Sequence, residues 1–292
     1  MAERFEEHRP RLRAVAYRML GSLTEAEDAV QDAWIRVSRA GTSEVENLGG
    51  WLTTIVARVC LNVLRSRRAR HEEFVGLRLP DPVVSPDSEL LPEEQALLAD
   101  SIGLALLVVL DTLAPAERLA FVLHDVFDIP FEEIAPIVGR TPAAARQLAS
   151  RARRRVKGAG LPPAEADPYR QREVVDAFFS AARRGDFEGL MAVLDPEVVL
   201  RSDFGARRAA VPAVIRGAAN VAGQALLGAA LPTARLHPAL VNGSAGVVVT
   251  VRGRPFSVMG FVVSEGRIVE IDAIADPDRV GRIAASVLAP EV

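Results

Sequence analysis

Two stretches of the chain concentrate arginine where no carboxylate balances it. Between Glu46 and Glu72 lie Arg58, Arg65, Arg67, Arg68 and Arg70, and between Glu133 and Glu165 lie seven cations, from Arg140 to Lys157. A guanidinium grips phosphates and guanine edges bidentately. On a chain of 292 residues with a net charge of −3, two such patches point to local contacts with a polyanion, not to a generally basic surface. Cations also suit the solvated C-terminal ends of helices, and one patch alone would leave the two readings level. Two patches on helical patterns favour nucleic acid. Other chemistries lack their residues. No phosphate-cradling, zinc-protease or serine-elbow motif occurs, and the single cysteine, Cys60, excludes a disulfide framework or a cysteine-rich metal site. The four histidines (8, 71, 124 and 237) have no metal-ligand spacing among them. No catalytic group, metal or cofactor is expected in residues 1–160.

Helices must position those arginines. Thr24 with Glu27 reads as a capping box opening a helix through about Arg39. Val30, Ala33, Trp34 and Val37 form its core stripe, and Asp28, Gln31, Asp32 and Ile35 make an acidic face with an apolar tip, suited either to a basic partner or to solvent. The next helix, about Trp51 to Arg68, lines one side with Leu52, Ile55, Val56, Val59, Cys60 and Val63. Another side carries Trp51, Thr54, Arg58, Asn62 and Arg65, a row able to stack on bases and hold phosphates. Cys60, on the apolar side, reads as inert packing.

The sharpest local pattern is 129–157. A short helix on Ile134, Ala135 and Val138 stops at Gly139, after which Thr141 caps a second helix with Pro142 in its first position. That helix buries Ala145, Leu148, Ala152 and Val156 and exposes Ala143, Arg146, Gln147, Ser150, Arg153, Arg154 and Lys157, as a helix-turn-helix with an outward reading helix requires. Residues 76–95, with four prolines, read as a linker, and helical pattern resumes near Ala96, broken at Ala114-Pro115, to Phe127.

After a second linker, 159–168, the pattern changes. Asp167-Pro168 starts a helix ended at Gly185, Asp186 caps a shorter one through Leu194, and a weaker helix lies near Asn220–Leu227. Strands are predicted at Val198–Arg201, Ala239–Val241, Ala245–Val251, Phe256–Val263 and Ile268–Ile274, with turns at Asn242-Gly243, Arg252-Gly253 and Glu265-Gly266. The fold class is therefore multidomain: all-α domains over 1–75 and 96–158, then an α+β domain over 169–292.

These motifs resemble a known family. AEDAVQDAWIRV (26–37) and GWLTTIVARVCLNVLRSRRAR (50–70) are similar to the promoter-melting domain of extracytoplasmic-function (group 4) sigma factors of bacterial RNA polymerase. Residues 111–157 resemble that family's −35-reading domain. The resemblance implies that Asp28, Val30, Gln31, Asp32 and Trp34 lie in or behind the contact with the β′ clamp of core polymerase. It points to Arg58, Asn62, Arg65, Arg67 and Arg68, which Trp51 joins from the row above, at the −10 element. Thr141, Arg146, Gln147, Ser150, Arg151 and Arg154 would read −35 in double-stranded promoter DNA. Residues 170–203, 239–243 and 253–272 resemble the SnoaL-like, nuclear-transport-factor-2-like domain fused to the SigJ-like subgroup, which there modulates the sigma activity of the same chain. The chain departs from that pattern at Asp203-Phe204-Gly205, where relatives carry a glycine run, and at Asp276-Pro277-Asp278-Arg279-Val280.

A SnoaL-like cone can also hold a small molecule. Phe178, Phe179, Met191, Phe204, Met259 and Phe261 are expected to line it, with Asp203, His237 or Asp272 as polar groups, and an Asp in an apolar cavity can serve as a general base. The same apolar residues equally fill a small core, and fold does not carry function. The expected protein is a cytosolic, non-enzymatic initiation factor, monomeric when free and without a membrane partner. The rival is a one-component helix-turn-helix regulator with a ligand-sensing C-terminal domain, which leaves the motifs at 26–37 and 50–70 without a role.

Overall fold

A computed structural model describes residues 2–40, 47–69, 77–87, 103–160, 165–205, 213–231 and 233–288. Ala96–Ile102, Arg70 and residues 161–164 and 206–212 lie outside the described residues. The chain divides into a helical unit, with its described residues up to Ala69 and from Leu106 to Gly160, and a helix-and-sheet unit formed by 77–87, 103–105 and the described residues from 165 onward.

In the helical unit, α1 (Ala2–Leu20), α2 (Leu23–Ala40) and α3 (Leu48–Ala69) pack around Phe5, Leu12, Val15, Tyr17, Met19, Val30, Val37, Leu52, Val56 and Cys60. Burial pushes the Cys60 thiol up to about 12, so it stays protonated packing. The cap of α2 differs from expectation. Ser22 Oγ accepts from Glu25 N at 3.5 Å, two residues ahead of the Thr24–Glu27 box. Glu27 instead holds Arg9 at 3.2 Å and Arg13 at 3.0 Å on α1. The reason is that Ser22-Leu-Thr-Glu25 offers the same box spacing one step after the left-handed Gly21.

Helices α4 (Leu104–Asp111), α5 (Pro115–Phe121, running into one wide π turn at Val122–Val126), α6 (Phe131–Val138) and α7 (Pro142–Gly158) follow. Gly139 takes the left-handed φ of +69° that ends α6, and Thr141 Oγ1 accepts from Ala144 N at 3.3 Å to start α7, as its sequence predicts. The two helical parts, expected as separate domains, share one unit. Arg118 Nε donates to the Arg18 carbonyl at 3.0 Å, the Arg18 guanidinium lies 5.2 Å from the Phe127 ring centroid, and both arginines are buried.

In the second unit, seven strands run in the order β1-β4-β5-β6-β7-β2-β3: β1 (Val84–Pro86), β2 (Leu194–Asp203), β3 (Val214–Arg216), β4 (Ala234–Val241), β5 (Ser244–Val251), β6 (Arg254–Ser264) and β7 (Arg267–Ile274). All neighbours are antiparallel except β2 and β7. The hairpins at Asn242-Gly243, Arg252-Gly253 and Glu265-Gly266 each hold two successive positive φ angles, the geometry their sequences predict. One face of the sheet packs on α8 (Pro168–Arg184), α9 (Phe187–Val193) and α10 (Ala218–Ala229). Asp167 and Asp186 cap α8 and α9 as expected, through Tyr169 N at 3.0 Å and Gly189 N at 2.8 Å.

Strand β1 was not legible in the sequence. The prolines of 76–95 predict a linker, yet Val84, Ser85 and Pro86 pair with Val241, Leu240 and Ala239 of β4. Pro is tolerated on an edge strand, where an N–H can be dispensed with. Asn242 reinforces the joint, its N donating to Val83 O at 2.8 Å and its Oδ1 accepting from Val83 N at 2.7 Å. Deeper in, Arg279 of α11 (Pro277–Ile283) donates through Nε to Asp81 at 2.7 Å, through Nη2 to Leu79 O at 2.6 Å, and through Nη1 to Asp203. Asp203 Oδ2 also accepts from Leu79 N at 2.9 Å. The last helix, α12 (Ala285–Leu288), adds a hydrogen bond from Ser286 Oγ to Val84 O at 2.7 Å.

A second buried charge group lies on β2 and β7. Arg201 holds both Glu270 and Asp272, the latter at 3.1 Å. Burial first, then the neighbouring Glu270 charge, push the Asp272 carboxyl up to about 7, although Arg201 opposes the shift.

Two outcomes follow from these clusters. Arg279→Ala removes the guanidinium that Asp81 and Asp203 share in the interior, and urea unfolding should show a loss of about 3–5 kcal/mol. For Asp272, the folded state keeps a proton between the unfolded value of 3.8 and about 7, so this group's contribution to stability falls as pH rises through that window and is level above it. Asp272→Asn should therefore gain on the parent protein at pH 8 relative to pH 5; an identical difference at both pH values in urea melts would refute this.

Candidate nucleic-acid interface

On α2, the core stripe buries Val30, Ala33 and Val37, which turns Asp28, Gln31, Asp32 and Ile35 outward together. Trp34 is half-buried, its ring 4.9 Å from that of Phe5, so it stiffens the helix from behind instead of meeting a partner face-on. Of the five residues expected at this contact, Asp28, Gln31 and Asp32 are exposed and Val30 is buried beneath them.

On α3, Arg58, Asn62, Arg65 and Arg68 are exposed and recur at three and four residues, forming one stripe that the half-buried Trp51 extends toward the N-terminus. Asn47 opens the helix by accepting from Gly50 N at 2.9 Å. Arg67 differs from the others. It lies about half a turn around the helix, and Glu25 of α2 holds its guanidinium, so it ties two helices together.

On α7, Ala145, Ala149 and Ala152 are buried, while Leu148 and Val156 are only half-buried. Small residues inward bring α7 close to its neighbours and set Gln147, Ser150, Arg154 and Lys157 on the open side. Thr141 sits at the start of that side with its hydroxyl used as the cap. The remaining arginines have intramolecular partners. Arg146 lies 5.2 Å from the Phe131 ring centroid. Arg151 and Arg155 reach Glu117 at 3.5 and 2.9 Å, and Arg153 bonds Asp125 at 2.6 Å. The acid-free segment is thus neutralised from α5 and the π turn on one side and left cationic on the other, a division that spacing alone did not reveal.

The second unit holds a cavity between α8, α10 and the sheet. Phe178 and Met259 line it as expected, as do Phe179 and Phe204. Phe261 instead packs in the core with its ring 5.9 Å from Phe178 and 5.7 Å from Phe179, and Met191 packs against that same core. The three expected polar groups are corrected outright. Leu200 and Ser202 of β2 and Ile271 and Ala273 of β7 face the cavity, so the alternation of a strand sends Asp203 and Asp272 to the opposite face. His237 likewise lies opposite Leu236, with Nε2 3.1 Å from Thr250 Oγ1. The polar groups actually present are Ser202, Ser257, Gln224, Thr233 and Arg183. Ser202 and Ser257 become legible once the strand register is known; Arg183 and Gln224 sit on amphipathic helices and carry no separate signal.

Among the described residues, no group of three or more metal-ligating side chains occurs, and no helix is long and apolar enough to cross a membrane.

Comparison with known proteins accounts for both units. The Sigma-70 region 2 family matches residues 4–70, and the Sigma-70 region 4 family matches residues 103–156. The extracytoplasmic-function RNA polymerase sigma factor SigJ of Mycobacterium tuberculosis is 35% identical, over 94% of this chain and 91% of that protein. A probable sigma factor of the same organism, SigI, is 33% identical over 95% of this chain and 94% of its own length. The crystal structure of M. tuberculosis SigJ aligns with a TM-score of 0.75 and 33% identity, covering 96% of this chain and 98% of that one. With both sigma regions in order and the likeness running through the helix-and-sheet unit, the chain belongs to the extracytoplasmic-function family of RNA polymerase sigma factors.

Proposed function

We propose that this sigma factor docks on the β′ clamp of bacterial core RNA polymerase through Asp28, Gln31 and Asp32 of α2. It then captures the −10 element with Trp51, Arg58, Asn62, Arg65 and Arg68 of α3 and reads −35 in duplex DNA with the open side of α7. The observation that carries this reading is that three exposed rows, one acidic and two cationic or amide-bearing, project from helices whose other sides are committed to the core. Thr141 and Gln147, with Ser150 and Arg154, supply hydrogen-bonding groups to bases and phosphates, while Arg146 and Arg151 must leave Phe131 and Glu117 to take part. Opening of the duplex then comes from holding unstacked −10 bases, with no covalent chemistry by the protein.

The −10 and −35 elements lie about two helical turns apart, each turn spanning about 34–36 Å. The two helical parts therefore separate on the promoter, breaking the Arg118–Arg18 contact. The helix-and-sheet unit modulates this step by retaining residues 77–87, part of the span between them. The protein acts in the cytoplasm, as a monomer when free and without enzymatic turnover.

Co-migration of the full chain with purified core polymerase tests the first contact: Asp32→Arg should abolish it while leaving the circular dichroism spectrum unchanged, and undiminished binding would refute the assignment. Gln147→Ala should cost about 1–3 kcal/mol at its preferred −35 base and flatten discrimination there, read from transcription on a set of promoter variants. Arg154→Ala should weaken holoenzyme binding to all promoters alike and lower the slope of log affinity against log salt by about 1.

A further inference from the structure

The cavity of the helix-and-sheet unit has a volume of about 290 Å³, near the lower end of volumes that accept a small ligand. Well-packed interiors leave few voids larger than a water molecule, and an unfilled cavity lowers stability. Its wall is made chiefly of Phe178, Phe179, Phe204, Leu236, Phe256 and Met259. Apolar surface continues out of the mouth: Leu231 lines the cavity and is 37% exposed, and Leu227, beside the lining residue Gly228, is 70% exposed. A soluble domain keeps such side chains in water at the entrance to an apolar chamber where something apolar passes or lodges.

The charge on that entrance is of one sign. Arg183, exposed in the last turn of α8, is the one ionisable side chain among the described lining residues, and among the described residues it forms no ion pair. No carboxylate or imidazole accompanies it in the described lining, so the groups present bind and orient and have no means of taking a proton. Ser202 and Ser257 add hydroxyls to the sheet wall, and Gln224 adds an amide from α10. A chamber of aromatic and thioether surface with a single guanidinium is complementary to one class of molecule, an apolar body bearing one anionic group.

We propose that this cavity binds a small hydrophobic monocarboxylate, its carboxylate on Arg183 and its apolar part among Phe178, Phe179 and Met259. The site is distinct from the polymerase and promoter contacts, so its failure would leave the sigma reading untouched.

Isothermal titration of the full chain with hexanoate, octanoate and decanoate, and with octanol and octylamine, tests the proposal. The carboxylates should bind at one site, tightening about fourfold for each added methylene until the chamber is full. Octanol should bind more weakly than octanoate, and octylamine more weakly still. Arg183→Gln, at an exposed position, should weaken the carboxylates about threefold to fivefold and leave octanol unchanged. Ala225→Trp should fill the chamber and remove binding of all of them; if that variant is unfolded by circular dichroism, the Arg183→Gln comparison decides. Absence of saturable binding, equal affinity for octanol and octanoate, or carboxylate affinity indifferent to Arg183→Gln would overturn it.

Discussion

A buried guanidinium organises the helix-and-sheet unit. Arg279 is removed from water at a cost of several kcal/mol, which only a full set of partners offsets. Those partners come from segments distant in the chain: Asp203 at the end of β2, and Asp81 with the Leu79 carbonyl in the span following the first three helices. Satisfying one side chain therefore fixes three things together, the end of β2, the start of α11 and the path of residues 79–81. Gly205 shares the constraint. Its φ is +66°, and a side chain there would collide with the Asp276 carboxylate that caps α11 through Asp278 N. A second arginine, Arg172, repeats the device at the other end of the span, donating hydrogen bonds to the carbonyls of Gly246 and Ala239 at 3.0 and 2.8 Å and forming an ion pair with the Asp87 carboxylate at 3.0 Å.

The alternation of β2 then separates two kinds of chemistry. Leu200 and Ser202 meet the cavity; Arg201 and Asp203 carry the buried ion pairs on the opposite face. Strand β7 does the same, with Ile271 and Ala273 inward and Glu270 and Asp272 beside Arg201. The ionisable groups of these two strands are thereby kept out of the chamber, and the pieces that bind the 77–87 span sit one residue away from those that line the void. The cavity on one face and the buried ion pairs on the other share the same two strands.

In the helical unit, arginines do opposite jobs within a few residues of each other. Arg18 and Arg118 are buried where the two helical parts meet, and Arg67 joins α3 to α2 through Glu25. Arg58, Arg65, Arg68 and Arg154 stay exposed. The unit is thus held together by the residue type it also leaves exposed in rows, and the division is made by where Glu25, Glu117 and Asp125 fall in space.

What the chain's own residues specified is considerable. Helical periodicity, caps at Thr141, Asp167 and Asp186, and the three Gly turns were legible because each depends on neighbours within a few positions. The outward faces of α2, α3 and α7 followed from the same periodicity. Tertiary structure decided what depends on remote partners: that residues 84–86 form an edge strand despite Pro86, that β3 pairs with β2, that Arg67, Arg151 and Arg153 are held by acids from other elements, and that Asp203, His237 and Asp272 face away from the cavity. A strand with apolar and polar residues on both faces does not declare which face meets the helices; the choice is made by packing against α8 and α10, and by a guanidinium that requires two carboxylates 198 and 76 positions away from it in the chain.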